Sequence, residues 1–418
     1  MLANSWQIPD LETLKREWRD ADFGLLLFPI FLTILGGIAI YSADFNAKQT
    51  NWWQHWVMGG IGLGILVAIA RSHYDQLLRL HWITYAITNL SLMAVLLVGT
   101  SALGAERWLS IGGFNLQPSE FAKVGVIISL AAVLHNRPIQ HPMDILKVVW
   151  VVIPPWILIF LQPNLGTALV FAAITIGMLY WAGASLGWLV LLGSPIISAI
   201  IFTVYVPVWI GWVALMGVTA WYSLPWIRTI SAIVAVVVNL VAAQVGHILW
   251  GLLHDYQKQR LLLFLDPSQD PLGGGYHLIQ SRIAIGAGKL WGQGLMKGTQ
   301  TQLNFIPEQH TDFIFSAIGE EFGFIGCMFV LITFLGICWR LLAIAVSAKD
   351  NFGSLIAIGV FSFILFQTFV NIGMNIGVAP VTGIPLPWLS YGRSAMIANF
   401  MAIGIVESVA AHRRTIKF

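Results

Sequence analysis

About twelve predominantly apolar runs, most of them near 20 residues, divide this chain between residues 23 and 411, and they constrain the fold more than any other feature. A helix rises about 1.5 Å per residue, so about 20 apolar residues cross the roughly 30 Å hydrocarbon core of a bilayer. In hydrocarbon every backbone N–H and C=O must be bonded within the segment, so such runs become helices. The candidate spans are 23–42, 52–70, 82–100, 119–135, 145–161, 165–182, 186–205, 207–224, 229–250, 312–340, 352–375 and 392–411. Soluble domains carry roughly 25% charged residues; here 10% are charged and 57% hydrophobic. The expected fold is all-α, a polytopic membrane helix bundle. Residues 23–411 form one integral membrane domain, between an N-terminal segment 1–22 and a tail 412–418.

Pro195 and Pro207 make 186–205 and 207–224 the least regular pair, and a re-entrant course is the alternative there. Between Gly183 and Gly246 the only Asp, Glu, Lys or Arg is Arg228, just after Leu224-Pro225. That pattern reads as helices joined by a short turn. Glycines such as Gly59, Gly60, Gly62 and Gly64 read as packing positions where helices approach closely.

Basic residues of short loops mark the cytoplasmic side. Lys15, Arg16 and Arg19 precede the first span, and Arg71 and Arg79 lie between the second and third. Arg137 follows the fourth, Arg340 and Lys349 flank a later turn, and Arg413, Arg414 and Lys417 close the chain. An even number of spans with both termini cytoplasmic puts all of these on one side. The N-terminus lacks the pattern of a cleaved signal, so the first span reads as an uncleaved anchor. Two loops, 101–118 and the long 251–311, then lie outside. The long loop carries Lys258, Arg260, Arg282, Lys289 and Lys297. Long loops escape the charge rule, and an outward basic surface suits an anionic substrate. A net charge of +3, scattered along the chain, gives no footprint for nucleic acid. Cys327 and Cys338 share one apolar segment and read as buried spectator thiols.

Ionisable groups at membrane depth are costly and therefore functional candidates. Gln117-Pro118-Ser119-Glu120-Phe121-Ala122-Lys123 opens the fourth span. Pro118 and Glu120 suit a helix start, and Lys123 lies on the same face as Glu120. A cap with an intrahelical ion pair explains this cluster as well as a binding role does. The second cluster is Glu308-Gln309-His310-Thr311-Asp312, followed by Glu320 and Glu321. Helix capping by Thr311 or Asp312 is the plain reading. The other is that Asp312, a carboxylate at the rim of a low-dielectric region, serves as a general base. The glycine-rich stretch 271–289, with Gln280-Ser281-Arg282 inside it, matches no dinucleotide fingerprint or Walker loop. Its glycines suit close backbone approach to a phosphate or sugar. No nucleophile–base triad, zincin or CxxC pattern is present.

The chain resembles the SEDS family (shape, elongation, division and sporulation), and its RodA branch most. The resemblance runs through Ala105-Glu106-Arg107-Trp108, Gln117 to Lys123, Gln162 to Thr167 and His254 to Arg260. It continues from Asp266 to Gly326, and ends at Gly383 to Pro387 and Ser390-Tyr391-Gly392. The run GTQTQLNFIPEQHTDFIF is its most specific part and favours the elongation branch over FtsW. The resemblance implies a core of ten spans, here with an extra helix pair within 183–246. It also implies a bacterial cytoplasmic membrane location and a peptidoglycan glycosyltransferase that polymerises lipid II at the outer face for cell-wall elongation and rod shape. A class B penicillin-binding protein and elongation-complex membrane proteins would be the partners. The family's essential aspartate maps onto Asp312. Two departures stand out: Asn164 where the family usually has Asp, and Arg393 inside Ser390-Tyr391-Gly392-Arg393-Ser394 where it has Gly.

On this reading Asp312 deprotonates the acceptor sugar hydroxyl, which attacks the donor's anomeric carbon, and a lipid pyrophosphate leaves. The dianion requires positive charge, with Lys123, Arg107, Lys258 and Arg260 as candidates. Glu120, Gln280, Ser281, Glu308, His310 and Thr311 complete the expected substrate-binding set. A divalent cation, Mg²⁺ or Mn²⁺, is the one cofactor left open, without a carboxylate set that would make a metal site; no organic cofactor is expected. The rival reading is a transporter that flips lipid II. Transporters tend to show paired repeats and broken helices meeting at mid-membrane, whereas the polar residues here gather on one side.

Overall fold

The computed structural model describes residues 22–46, 50–102, 105–111, 114–136, 139–252, 275–306 and 308–412. Twelve helices fall on the expected spans: α1 (Phe23–Asp44), α2 (Trp53–Ala70), α3 (Asp75–Val98), α4 (Pro118–Leu134), α5 (Pro142–Leu161) and α6 (Leu165–Trp181), then α7 (Leu186–Val204), α8 (Val206–Ser223), α9 (Arg228–Leu252), α12 (Ile314–Ser347), α13 (Asn351–Ile376) and α14 (Arg393–Ala411). Two shorter helices, α10 (Tyr276–Ala287) and α11 (Thr299–Gln302), precede α12. Ten of the described helices are long and apolar enough to cross a membrane; α4 and α6, at 17 residues each, are slightly shorter.

The helix starts follow local chemistry. Asp22, Asn164 and Asp350 accept the backbone N–H of Leu25, Thr167 and Gly353, and Pro118, Pro142 and Pro207 occupy first turns. Asn164 therefore works as an N-cap, a task that Asn performs as well as the family's usual Asp. Pro195 lies inside α7 and Pro207 at the start of α8, so 186–223 is two full helices. The irregular course weighed for that stretch is absent.

Helices α13 and α14 are the most buried of the ten. Around them, α2 packs on α14, α4 and α6 on α13, and α1 on α12. Helices α7, α8 and α9 pack chiefly on one another and reach the rest through α6. Their common seam is polar: Trp209 Nε1 donates to Ser198 Oγ (2.8 Å), Ser198 Oγ to the Asn239 carbonyl (3.0 Å), and Asn239 Nδ2 to Ser194 Oγ (3.0 Å). Gly59 and Gly62 of α2 lie against Thr33 and Phe400, but the positions of Gly60 and Gly64 face open space, so packing accounts for half of that glycine pattern.

Three features depart from the sequence reading. The first outer loop, to which the sequence reading assigned no structure, holds an antiparallel meander of β1 (Thr100–Ala102), β2 (Ala105–Ile111) and β3 (Phe114–Leu116) beside the helical bundle. Arg340 lies inside α12, which runs on to Ser347, and pairs with Asp22 instead of flanking a turn. Finally, α12 is not continuous: Gly323 adopts φ 67°, ψ −164° within it. Residues 1–21, 47–49, 103–104, 112–113, 137–138, 253–274, 307 and 413–418, which include Arg137, Lys258, Arg260, Pro307 and the terminal basic residues, lie outside the described residues.

The bundle has two chemically distinct ends. At one end Asp22 N donates to Glu407 Oε1 (2.6 Å), Tyr74 OH to Asp350 Oδ2 (2.8 Å), and Ser408 to the Ser72 carbonyl. Asp22 and His412, the first and last described residues, are both there. The opposite end collects the meander, the start of α4, residues 275–313 and the 377–392 connection.

Candidate active site

The site is assembled on the break in α12. With φ positive and ψ near 180°, Gly323 interrupts the i→i−4 ladder and releases groups on both sides. Residues 289–294 bond to them. Gln293 N and Gly294 N donate to the Glu320 and Glu321 carbonyls (2.9 and 3.0 Å), while Phe324 N and Ile325 N donate to the Lys289 and Leu290 carbonyls (2.8 and 3.2 Å). Irregular backbone in a membrane bundle persists only when its polar groups are bonded in this way. Gly323 lies nine residues into α12, roughly 14 Å along its axis. The second half of the long loop is thus inserted beside α12, not spread over the outer surface.

Two carboxylates hold this insert. Glu320, fully buried, accepts the N–H groups of Gln300 (2.8 Å) and Thr301 (2.9 Å) at the start of α11. Glu321 accepts from Ser42 Oγ of α1 and from Met296 N (3.3 Å). The C-terminal end of α1 adds further ties, for Gln302 Nε2 donates to the Ser42 carbonyl and Gln309 Nε2 to the Ala43 carbonyl, both at 2.9 Å.

Asp312 lies where this insert turns into α12. The carbonyls of three successive residues are each taken up from α13 and the 377–392 connection. Tyr391 N donates to the His310 carbonyl (2.8 Å), Ser390 Oγ to that of Thr311 (2.6 Å), and both Asn371 Nδ2 and Asn375 Nδ2 to that of Asp312 (3.0 Å each). Capping does not explain Thr311, whose hydroxyl turns back to Glu308 Oε2 (3.0 Å). The N-cap of α12 is Phe313, which makes no side-chain cap; Asn375 Oδ1 instead accepts from Ser316 N (3.2 Å) and Ser316 Oγ (2.5 Å).

Beside Asp312, His310 is 16% exposed, and its Nε2 lies 3.9 Å from the half-exposed Glu308 carboxylate. Its ring meets Tyr391 edge-on at 5.9 Å. Burial lowers the His310 pKa, with Glu308 and the nearby Asp44 opposing, so the imidazole is neutral at neutral pH. The Tyr391 hydroxyl donates to Gln54 Oε1 (2.9 Å), and burial raises its pKa.

The other expected site residues are distributed differently. Glu308, His310, Thr311 and Asp312 come together. Ser281 on α10 is fully buried, and its hydroxyl contacts Ser316 Oγ (2.5 Å) and the Asn375 carbonyl (2.7 Å), so it supports the Asp312 segment from within. Gln280, its neighbour in α10, is partly exposed. Glu120 and Lys123 form a buried ion pair at 2.7 Å, with Lys123 Nζ 5.5 Å from the Phe363 ring centroid. Phe363 lies eight residues before Asn371 on α13, about 12 Å along that helix. The ion pair is therefore bound inside the bundle, at a level separate from the Asp312 clamp. Arg107 on β2 donates to the Pro163 carbonyl at the α5–α6 turn. Lys258 and Arg260 lie outside the described residues.

Among the described residues no group of three or more His, Cys, Asp or Glu side chains could hold a metal ion. These residues do not by themselves form a metal site. Mg²⁺ is commonly held by one or two carboxylates together with substrate phosphates, and Asp312 with Glu308 nearby offers no more than that.

Sequence reasoning missed Asn371 and Asn375. The available signal was Gln367, Asn371 and Asn375 at i, i+4 and i+8 in an apolar span, all buried. That spacing puts three carboxamides on one helix face, where polar groups are costly unless bonded.

The chain is similar to known membrane proteins over nearly its whole length. The chain matches the FTSW_RODA_SPOVE family, described as cell cycle protein, over residues 23–221 and again over 206–415. It is 34% identical over 395 residues to the peptidoglycan glycosyltransferase MrdB of Escherichia coli (strain K12), covering 93% of this chain and 94% of that one. It is 32% identical over 427 residues to the peptidoglycan glycosyltransferase RodA of Treponema pallidum (strain Nichols), covering 94% and 98%. Among solved structures, a peptidoglycan synthase complex reported as coordinating polymerization and crosslinking superposes with a TM-score of 0.69 at 27% identity, over 93% of this chain and 97% of that one. The rod shape determining protein RodA of Thermus thermophilus shares the fold, with a TM-score of 0.63 at 24% identity over 95% and 99%. By the family match over most of its length and by its relatives, the chain belongs to the FTSW_RODA_SPOVE family, the SEDS family, on its RodA branch.

Proposed function

We propose that this membrane protein is a peptidoglycan glycosyltransferase of cell-wall elongation that polymerises lipid II, with Asp312 as general base. The observation that carries this reading is the triple carbonyl grip on residues 310–312, which holds one carboxylate-bearing segment at the loop-rich end of the bundle. A base must be held within hydrogen-bond reach of the proton it removes. Asp312 takes the proton of the acceptor's sugar hydroxyl as that oxygen bonds to the donor's anomeric carbon. The bond from that carbon to the pyrophosphate oxygen breaks, and the lipid pyrophosphate departs with the electron pair. A polyprenyl substrate suits a site at the membrane rim, because its tail stays in lipid while its sugars react in water.

Arg107, Arg282, Lys289, Lys297 and Arg393 belong to this end, and Lys258 and Arg260 to the long loop; these are the candidate basic groups for the leaving dianion. Lys123 joins them only if Glu120 releases it. The Asp312 end is the outer face and both termini are cytoplasmic, a placement that Arg71 and Lys349 at the opposite end favour. A class B penicillin-binding protein and other elongation-complex membrane proteins are the partners, as the superposed synthase complex suggests by analogy. A divalent cation, Mg²⁺ or Mn²⁺, would be held by Asp312 with Glu308 nearby and would supply positive charge for the leaving pyrophosphate; no step above depends on it.

Broken helices are a transporter feature, and α12 is broken. Its freed groups, however, are bonded to residues 289–294, so flipping of lipid II is the weaker reading. Purified protein with its partner, given labelled lipid II in detergent where there is no bilayer to cross, should form glycan chains that disappear with Asp312→Asn. Absence of polymer under all conditions, together with flipping in liposomes, would overturn the proposal.

A further inference from the structure

We infer that Asn371 and Asn375 are positioning residues for the reaction, aiming the Asp312 carboxylate by fixing its own peptide from α13; this rests on the reading of Asp312 as the base. Both amide nitrogens converge at 3.0 Å on the single carbonyl oxygen of Asp312. A carbonyl oxygen has two lone pairs, and both are filled from one helix face. Packing alone does not call for this arrangement. The two asparagines are fully buried in a membrane helix, where apolar residues would pack at less cost.

Each amide is also fixed from its other side. Asn371 Nδ2 donates to the Ile384 carbonyl (2.8 Å), and Asn375 Nδ2 to the Asn371 carbonyl (2.8 Å). Asn375 Oδ1 holds Ser316 N–H and Oγ, and Ser316 Oγ meets Ser281 Oγ on α10. The clamp therefore joins α10, α12, α13 and the 377–392 connection at the residue that bears the base. With its peptide plane held, the Asp312 side chain keeps only its own two torsions.

The test is steady-state polymerisation of labelled lipid II by the full chain with its partner. It compares wild type, Asn371→Leu, Asn375→Leu and the isosteric Asn371→Asp and Asn375→Asp, each also combined with Asp312→Asn. Misplacing a catalytic group by about 1 Å costs on the order of 100-fold, so kcat should fall at least about tenfold in each asparagine variant while KM stays within about threefold. Asp312→Asn should then cost far less in those backgrounds than in wild type, because the base it removes is already misaimed. If the asparagine variants do not purify, Ser316→Ala, which loosens Asn375 from the opposite side, should lower kcat by about twofold to fivefold with KM unchanged.

Wild-type kcat in both leucine variants, a loss confined to KM, or fully multiplicative effects with Asp312→Asn would each overturn the clamp. A wild-type rate for Ser316→Ala, where it is the variant measured, would do the same. A wild-type rate for Asp312→Asn alone would instead overturn the assignment of the base.

Discussion

Gly323 and Gly292 meet backbone to backbone inside the bundle. A Cβ on Gly323 would lie 2.3 Å from the Gly292 nitrogen, and one on Gly292 would lie 2.1 Å from the Glu321 carbonyl oxygen. Both residues have positive φ, 67° and 81°. Gly323→Ala therefore combines a forbidden backbone region with a clash against main chain that cannot yield. The expected cost is about 3 kcal/mol or more, seen as a sharp drop in detergent-solubilised yield and melting temperature. Gly64→Ala is the control. Nothing lies within 4 Å of its Cβ position, and alanine favours a helix by about 1 kcal/mol, so its melting temperature should hold or rise. Equal losses in the two variants would show that the break in α12 is not held as described.

The Glu120–Lys123 pair calls for a variant set that separates support from chemistry. The pair is buried, with 3% and 2% of its side chains exposed. Removing one member leaves a buried charge alone and costs about 3–5 kcal/mol, whereas replacing both by apolar residues is often neutral. Lys123→Met and Glu120→Leu should each melt early, and the double variant should recover wild-type melting. Polymerisation by the stable double variant then decides the role. Activity near wild type means that Lys123 never holds the pyrophosphate, while a folded but inactive double variant means that it does.

The spans were legible because hydrophobic length is a local property, and Pro118 marked the start of α4 by local chemistry alone. The break at Gly323 was not, since one glycine in an apolar run is usually tolerated inside a helix. What decides it is the arrival of residues 289–294, some thirty positions earlier in the chain. The meander was missed although Gly112-Gly113 between Ile111 and Phe114 is a hairpin signal; its strands of 3, 7 and 3 residues are too short to show a period. At the site, the motif around Asp312 singled out that carboxylate as a candidate, but the hydrogen bonds that hold its segment come from Asn371, Asn375 and Ser390, roughly sixty to eighty residues away in sequence. Glu120 and Lys123 differ: their spacing left an intrahelical ion pair and a binding role equally open, and the structure shows the pair formed and buried.

At the end of the bundle opposite Asp312, Tyr74 and Asp350 form a latch. The Tyr74 hydroxyl donates to Asp350 Oδ2 at 2.8 Å, and Asp350 Oδ1 caps α13 by accepting Gly353 N–H at 2.8 Å. Burial, then the Asp350 hydrogen bond and charge, raise the Tyr74 pKa. Tyr74→Phe should cost about 1 kcal/mol and Asp350→Ala about 1–2 kcal/mol through the lost cap. Because the latch is far from Asp312, both should lower the melting temperature while leaving kcat unchanged in the lipid II assay. A large fall in kcat from Tyr74→Phe would show that the two ends are coupled.

His310 gives the site a pH dependence with a definite sign. Burial lowers its pKa below the ordinary 6.5, and Glu308 and Asp44 offset that only in part. Tyr391, in edge contact with it, offers a hydroxyl already used by Gln54, and Arg393 beyond adds positive charge that does not favour protonation. The unfolded chain thus binds this proton before the folded one does. Stability from His310 is complete above about pH 6.5 and is lost as pH falls from there through the lower folded pKa. His310→Gln removes this titration. Melting measured in detergent from pH 8 down to pH 5 should show wild type losing more stability below about pH 6.5 than the glutamine variant, with the two curves parallel above it. Parallel curves over the whole range would mean that the imidazole is as hydrated in the folded protein as in the unfolded chain, contrary to its burial beneath Tyr391.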